Sequence, residues 1–379
     1  MKRLFNVFKI RRSRIVEKDG NAKKPALFTA VGTGVVSETE SEVTHYSRKS
    51  VPLKFITWNA NGLLHRVKNN WQEFSKFISS VDPDVIAIQE VRMPAAGLKG
   101  TCRNPGDFKD DTSSSREEKR ILLRALSSSP FLDYFQWWSL GDSKYAGTGL
   151  LVKKSCPPRK VSFSLDKTAS KHEPDGRVIL AEFKEFYFLN TYVPNNGWKE
   201  EENSFYRRRK WDKRMLDFVT EPSDKPLIWC GDLNVSHEVA DVSHPEFFRN
   251  AKLNGYTPPN EEDCGQPGFT LNERRRFTSI LKCGKLIDAY RYLHKDMDMD
   301  MEGGFSWCGN PIGKYRGKRM RIDYFILSET LKDRILSCQI HGQGIEMQGF
   351  FGSDHCPVSL ELSSVNEEEK ESCSSISIS

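Results

Sequence analysis

From about residue 51 the chain alternates short apolar runs with polar punctuation. Leu53-Lys54-Phe55-Ile56-Thr57-Trp58 has the composition of a strand, and Val67, Trp71, Phe74 and Ile78 recur at the spacing of one helix face. Asp82-Pro83-Asp84 interrupts the pattern, and Val85-Ile86-Ala87-Ile88 is short and apolar enough for a buried strand. Residues 93–118 are polar and predict an insertion loop. Ile121–Leu126 then predicts a helix, and Tyr134–Trp138, Gly149–Lys153 and Val161–Leu165 predict strands. Val178–Phe183 and Phe186–Tyr192 are close enough for a hairpin. Trp211, Met215, Phe218 and Val219 mark a second helix face, and Leu227–Cys230, Arg321–Leu327, Arg334–His341 and Pro357–Leu362 complete the strands. Strands dominate and helices are interspersed. That pattern favours an α/β domain over 51–362, with two sheets face to face and helices outside.

The flanks differ. Residues 1–50 hold 11 Lys/Arg and 5 Asp/Glu, with little apolar periodicity, and are expected to be a basic, disordered tail. Such a tail suits a nuclear address, a nucleic-acid arm or an organellar presequence. The nucleus is the expected compartment, with an organelle as the alternative. Residues 363–379 are Ser/Glu-rich and expected to be disordered. No run approaches the roughly 18 apolar residues of a membrane span, so no membrane partner is expected. The 9 cysteines include no CxxC pair, which argues against a zinc ribbon and a stapled secreted scaffold. Net charge is +6, but the tails carry +6 and −3, leaving only +3 for 51–362. The total is therefore weak support for a polyanion partner.

The predicted strands end in polar clusters. These are Asn59 and Asn61 after the first, Gln89-Glu90 after the second, Tyr192 to Asn195, Asp232 and Asn234, Asp323, and Asp354-His355. One such residue alone is usually a turn residue or helix cap. Several gathered at one sheet edge would form a pocket rich in carboxylates, amides and imidazole. A hard divalent cation prefers those oxygens, so Mg²⁺ or Mn²⁺ fits better than zinc. Phosphate-ester hydrolysis is the chemistry such a pocket suits.

In order, Trp58-Asn59-Ala60-Asn61-Gly62-Leu63, Ile88-Gln89-Glu90, Asp175-Gly176-Arg177, Thr191-Tyr192-Val193-Pro194-Asn195, Cys230-Gly231-Asp232-Leu233-Asn234, Arg321-Ile322-Asp323-Tyr324-Phe325 and Gly352-Ser353-Asp354-His355-Cys356-Pro357 resemble the endonuclease/exonuclease/phosphatase superfamily. They are most similar to its exonuclease III-like apurinic/apyrimidinic (AP) endonuclease branch. The resemblance implies a four-layer α/β sandwich of DNase I-like type, with two mixed, mainly antiparallel sheets. It implies a Mg²⁺-dependent phosphodiesterase of base excision repair, with Mn²⁺ as a substitute. Its substrates would be double-stranded DNA with abasic sites, nicks or blocked 3′ ends. A monomer that meets other repair proteins is expected.

By position, the resemblance makes Glu90 the principal metal ligand, with Asn61 and Asp354 beside it. Asp232 would activate water, Asn234 and Asn59 would donate to phosphate, His355 would be held by Asp323, and Tyr192 would lie beside the scissile phosphate. Arg177 and Asn195 would contact the DNA backbone. Trp307, Met320 and Ile322 fall where the abasic-sugar pocket is expected. Met320 stands where a well-studied branch has Trp, which predicts a softer pocket and abasic-site incision weaker than 3′-end cleaning. Trp198 lies on a loop where some relatives place a DNA-inserting Arg, and an indole there suits an apolar wedge. The Arg207–Lys210 run suits phosphates, in part as a solvated face. Asn310–Lys318 suits a mobile basic loop. Glu90, Asp232, Asp354 and His355 would also serve a phosphoinositide phosphatase, a sphingomyelinase-like enzyme or a deadenylase. A non-catalytic DNA-binding module is the other alternative, but no catalytic position is missing here.

Overall fold

The structure, a computed structural model, describes residues 51–97, 107–166, 175–199, 204–295 and 304–364. The expected tail over 1–50 and nearly all of the one over 363–379 lie outside the described residues. The described chain begins with β1 (Lys54–Asn59), α1 (Leu63–Asn69), α2 (Trp71–Val81), β2 (Val85–Gln89), α3 (Ser113–Leu126), β3 (Tyr134–Ser139) and β4 (Thr148–Lys153). Next come β5 (Lys160–Ser162), β6 (Val178–Glu182), β7 (Tyr187–Tyr192), α4 (Ser204–Thr220), β8 (Leu227–Asp232), α5 (Pro245–Arg249) and α6 (Leu271–Cys283). The chain continues through β9 (Leu286–Asp288), α7 (Ala289–Leu293), β10 (Trp307–Cys308), β11 (Arg319–Met320), β12 (Asp323–Ser328), β13 (Ile335–Ile340) and β14 (Val358–Leu362).

Two six-stranded sheets form, with orders β13-β14-β1-β2-β4-β3 and β5-β6-β7-β8-β12-β9. Each contains one parallel pair, β1 with β2 and β7 with β8, among antiparallel neighbours. The strands are apolar on both faces because both faces are covered. Phe55, Val85 and Ala87 point into a core shared with Phe188, Ile228, Cys230 and Phe325 of the other sheet. Their neighbours Ile56, Ile86 and Ile88 face the opposite way, onto Phe74 and Ile78 of α2 and Leu122 of α3. In the second sheet Trp229 and Ile326 face Trp211 and Met215 of α4 and Phe277 of α6. Period-two alternation thus produces the four layers, helix–sheet–sheet–helix. Phe55 stacks on Phe188 across the two sheets at 5.5 Å.

Three expectations need correction. The helix face from Val67 to Ile78 is split between α1 and α2, which meet at Asn70. Residues 93–118 are not all loop: α3 starts at Ser113, where Thr112 closes a capping box with Ser115. Met93, Ala95 and Phe108 are buried, and Ala95 bridges to Phe108. Polar composition concealed this because a cap and a charged outer helix face look like loop residues. The strand expected over 161–165 is only β5, Lys160–Ser162.

Asp241 and Arg321 anchor the chain leading into β12. Both are buried, and Asp241 Oδ1 accepts from Arg321 Nε at 2.9 Å and from Arg291 Nε at 3.0 Å. Arg321 Nη2 also donates to Asp288 at 2.6 Å. Burial pushes the Asp241 carboxyl up, but the two guanidiniums outweigh it and hold the group below its ordinary 3.8. A depressed carboxyl contributes its stability fully above the unfolded value and loses it as pH falls through the folded one. Asp241→Asn is expected to cost about 3–5 kcal/mol, because it strands a buried guanidinium. Urea unfolding at neutral pH measures that loss, which should shrink when the pair is compared below about pH 4.

Candidate active site

The parallel pairs end at the same edge of the sandwich. Asn59 ends β1, Glu90 follows β2, Tyr192 ends β7 and Asp232 ends β8. Asp323 begins β12 directly opposite Asp232 in the ladder, and His355 lies just before β14. Gly231 is required here: its φ is +132°, and a Cβ would lie 1.9 Å from the Thr191 carbonyl oxygen. That close approach brings the ends of β7 and β8 together.

Asn59 ties the two sheets at this edge. Its Nδ2 donates to Glu90 Oε1 at 3.1 Å and to Asp232 Oδ2 at 2.9 Å. Its Oδ1 accepts from the Asn61 backbone N–H at 2.9 Å, and Asn61 Nδ2 donates to Asp354 Oδ1 at 2.7 Å. The three expected metal ligands, Glu90, Asn61 and Asp354, therefore lie on one hydrogen-bonded chain through Asn59. Expected as a phosphate donor, Asn59 instead spends both N–H groups on carboxylates and orders them.

Asp232 Oδ1 accepts the Asn234 backbone N–H at 2.9 Å. Asn234 Nδ2 donates to the Val193 carbonyl at 2.9 Å, while its Oδ1 accepts from Asn195 Nδ2 at 3.0 Å. Asn195 thus sets which way the Asn234 amide faces, while itself remaining exposed at this edge. Asn61, Glu90, Arg92 and Asn234 all have φ between 45° and 51°. Left-handed backbone at non-glycine residues costs about 1–3 kcal/mol each and clusters where a site over-determines it.

Asp232 and Asp323 would repel each other across the ladder. His355 lies between them, with Nδ1 2.8 Å from Asp323 Oδ2 and Nε2 4.0 Å from Asp232 Oδ2. Burial disfavours the imidazolium, but Asp323, Asp354 and Asp232 outweigh it and raise His355 well above its ordinary value. Nδ1–H therefore donates to Asp323 and Nε2–H points into the site. The 3.4 Å approach of Asn59 Nδ2 to that Nε2 joins two donors and is only a contact. Burial, with the Asp323 and Glu90 charges, pushes the Asp232 carboxyl up to about 7, against His355 and the Asn234 N–H. Burial and the Glu90 and Asp232 charges also keep the Tyr192 phenol protonated, well above its ordinary value.

Asp232, Asp323 and His355 offer ligand atoms within 4.8 Å of one another. The His355–Asp323 bond spends two of those atoms on each other, so this grouping reads as a carboxylate–histidine relay. Glu90, Asn61 and Asp354 fit a hard divalent cation better: they bring carboxylate and amide oxygens and are less enclosed than Asp323.

The rim differs from expectation in places. Arg177 is 3 % exposed, donates to Asp175, Tyr145 and the Tyr192 carbonyl, and lies 4.8 Å over the Tyr192 ring. It braces Tyr192 from within and does not project as a free backbone contact. Trp307 donates Nε1 to Asp354 at 3.1 Å and pairs with Met320 between β10 and β11. Met320 and Ile322 pack with Val242, Phe248 and Phe269, with Trp307 and Tyr315 against them. The methionine thus sits against aromatic rings, with a flexible thioether where an indole would be rigid. Trp198 is half-buried. Residues 310–314 are exposed, as a basic loop over this rim requires.

Some residues of the site were not anticipated. Arg92 pairs with Glu90 Oε2, its Nε at 2.6 Å, and no spacing rule announces it. Ser353 donates Oγ to the Asn59 carbonyl at 2.8 Å and accepts the His355 N–H at 3.1 Å. Ser306 Oγ receives the backbone N–H groups of Ile322 and Asp323. Ser353 stands inside a segment quoted for its neighbours, and Ser306 directly precedes Trp307. Gln89 Nε2 reaches Asn190 Oδ1 of the other sheet at 2.8 Å, a buried polar bridge behind the site.

The sequence matches the Endonuclease/Exonuclease/phosphatase family over residues 56–355. It is 66% identical over 355 residues to a DNA-(apurinic or apyrimidinic site) endonuclease of Arabidopsis thaliana, covering 93% of this chain and 96% of that protein. It is 37% identical to a protein of the same description from Plasmodium berghei, covering 85% of this chain and 65% of that longer protein. Among solved structures, an AP endonuclease from Leishmania major shares the fold at TM-score 0.61 and 21% identity, covering 83% of this chain and 89% of that one. A 3′ phosphatase from Neisseria bound to a product DNA hairpin matches at TM-score 0.59 and 20% identity, covering 82% and 100%.

The electrostatics give a direct expectation for the cation-free protein. The ¹³C resonance of the Asp232 carboxyl should titrate near the value of about 7 that burial imposes. A midpoint near the ordinary 3.8 would contradict the burial argument.

Proposed function

The chain belongs to the endonuclease/exonuclease/phosphatase family, and on that premise we propose that it is a metal-dependent DNA-repair hydrolase that cuts DNA at abasic sites. The observation that carries this reading is the Asn59 amide holding Glu90 and Asp232 together beside the Asp323–His355 pair. A phosphodiester needs a base for water, donors for the growing phosphoryl charge and a cation; this arrangement has groups for each. The identity to the plant relative supports abasic DNA as the substrate.

Asp232 is the buried carboxylate that orients water and takes its proton. His355 presents Nε2–H to a phosphoryl oxygen, with Asp323 fixing the ring from Nδ1. Asn234, oriented by Asn195, holds Asp232 in place through its backbone N–H. Tyr192 stays a neutral phenol and can donate. Glu90, with Asn61 and Asp354, would hold the cation, for which Mg²⁺ is the proposed ion and Mn²⁺ a substitute. That cation supplies a Lewis acid that offsets phosphoryl charge. Water adds to phosphorus as its proton passes to Asp232, the bond from phosphorus to the upstream O3′ breaks, and O3′ takes up a proton from solvent. The nick carries a 3′-hydroxyl and a 5′-deoxyribose phosphate. The same centre accounts for cleaning of blocked 3′ ends, because the group removed is again carried on O3′. These are steps of base excision repair. The basic N-terminal segment supports a nuclear address, with an organelle as the alternative.

Asp232→Asn and His355→Asn are each expected to lower cation-dependent cleavage of an abasic duplex by at least about a hundredfold. Circular dichroism should show both variants folded. Full activity in both would refute the assignment. Rates on matched abasic, 3′-phosphate and 3′-aldehyde oligonucleotides rank the activities. The substitution of Met320 for an indole predicts faster 3′-end cleaning, and abasic incision well above 3′-phosphatase rates would overturn that ranking.

A further inference from the structure

The run Arg207-Arg208-Arg209-Lys210 lies on α4, and its second arginine points inward. Arg208 is 2 % exposed, on the same helix face as Phe205, Trp211 and Met215. Its guanidinium is turned away from solvent. Nη1 donates to the carbonyls of Pro194 at 3.1 Å and Asn234 at 3.0 Å, and Nη2 donates to that of Leu233 at 3.2 Å. Nε donates to Asp212 Oδ1 at 2.9 Å. Asp212 is itself held by Arg276 Nε from α6 at 2.7 Å, and Glu273 of α6 lies 3.8 Å from Arg208 Nη1.

The three carbonyls belong to the two loops that follow β7 and β8. The parallel ladder between those strands ends at the Tyr192–Asp232 pair. Beyond it the backbone leaves the sheet, and Asn234 turns through φ 49°. Carbonyls released from a ladder and buried need another donor. A guanidinium can serve several at once because its N–H groups form a rigid planar fork, whereas an ammonium is a single point.

We propose that Arg208 is a positioning residue for the reaction: it clamps the loops bearing Asn195 and Asn234 so that the Asn234 backbone N–H stays on Asp232 and holds that carboxylate in place. It acts only through backbone and touches no reacting atom. The inference rests on the proposed hydrolase reading.

Arg208→Lys keeps the charge and the Asp212 contact but cannot span three carbonyls. Its kcat on an abasic duplex with Mg²⁺ should fall about a hundredfold, the scale of a small misplacement of catalytic groups. KM should stay within about threefold, since DNA contacts are not removed. Arg208→Ala should regain part of its kcat in millimolar methylguanidinium, which a purely structural loss would not do. Rates are normalised to the folded fraction. If Arg208→Lys does not fold, Asp212→Asn, which loosens the guanidinium without removing it, is read in the same way. A folded variant with wild-type kcat, or a loss confined to KM, overturns the proposal. A wild-type protein with no cleavage would instead overturn the hydrolase reading itself.

Discussion

The site depends on one amide nitrogen shared by carboxylates of two sheets. Asn59 Nδ2 has two hydrogens, and it gives one to Glu90 and one to Asp232. Without that bridge, two buried acids would face each other at the seam of the sandwich with only repulsion between them. Asp323 adds a third carboxylate opposite Asp232, and His355 answers it with an imidazolium. The arrangement is expensive in isolation, and the apolar core between the sheets supplies the stability that offsets it. A buried carboxylate raised to about 7 is the residual cost, located on the group that the proposed chemistry needs as a base.

The supporting structure is built for position. Gly231 lets β8 approach β7 more closely than any side chain would permit. Left-handed backbone at Asn61, Glu90 and Asn234 turns polar side chains back across the strand ends. Ser353, Ser306 and Asn195 each fix a neighbour whose orientation matters. Arg321 and Asp241 hold the strand that presents Asp323. The acidic centre also explains why net charge was a poor guide to partners. Only +3 belongs to 51–362, a sum in which the buried acids hide the basic residues of the rim.

Much of this was legible in the sequence because strands buried on both faces read as continuous apolar runs, and the polar residues ending them stand out. Glu90, Asp232, Asp323 and His355 were found that way, and the structure brings them together. Arg92 escaped because its partner is two residues away across a left-handed turn, a conformation that composition does not signal. Arg208 escaped because a run of basic residues suggests a surface. Its spacing from Phe205, Trp211 and Met215 was the available clue that one of the four faces inward. The burial of Arg177 is hidden for the same reason, since charge alone does not tell a buried brace from a surface contact. α3 was partly hidden because its first turn is Ser-rich and its outer face charged.

The central claim is that this edge hydrolyses the phosphodiester 5′ of an abasic site by attack of water, with a divalent cation. Mass spectrometry of both strand ends, after incubation of a duplex carrying one abasic site, tests it most directly. The account predicts a 3′-hydroxyl upstream and a 5′-deoxyribose phosphate downstream with Mg²⁺, and intact duplex with EDTA. A 3′-unsaturated aldehyde as the primary product, or cleavage that persists in EDTA, would contradict it.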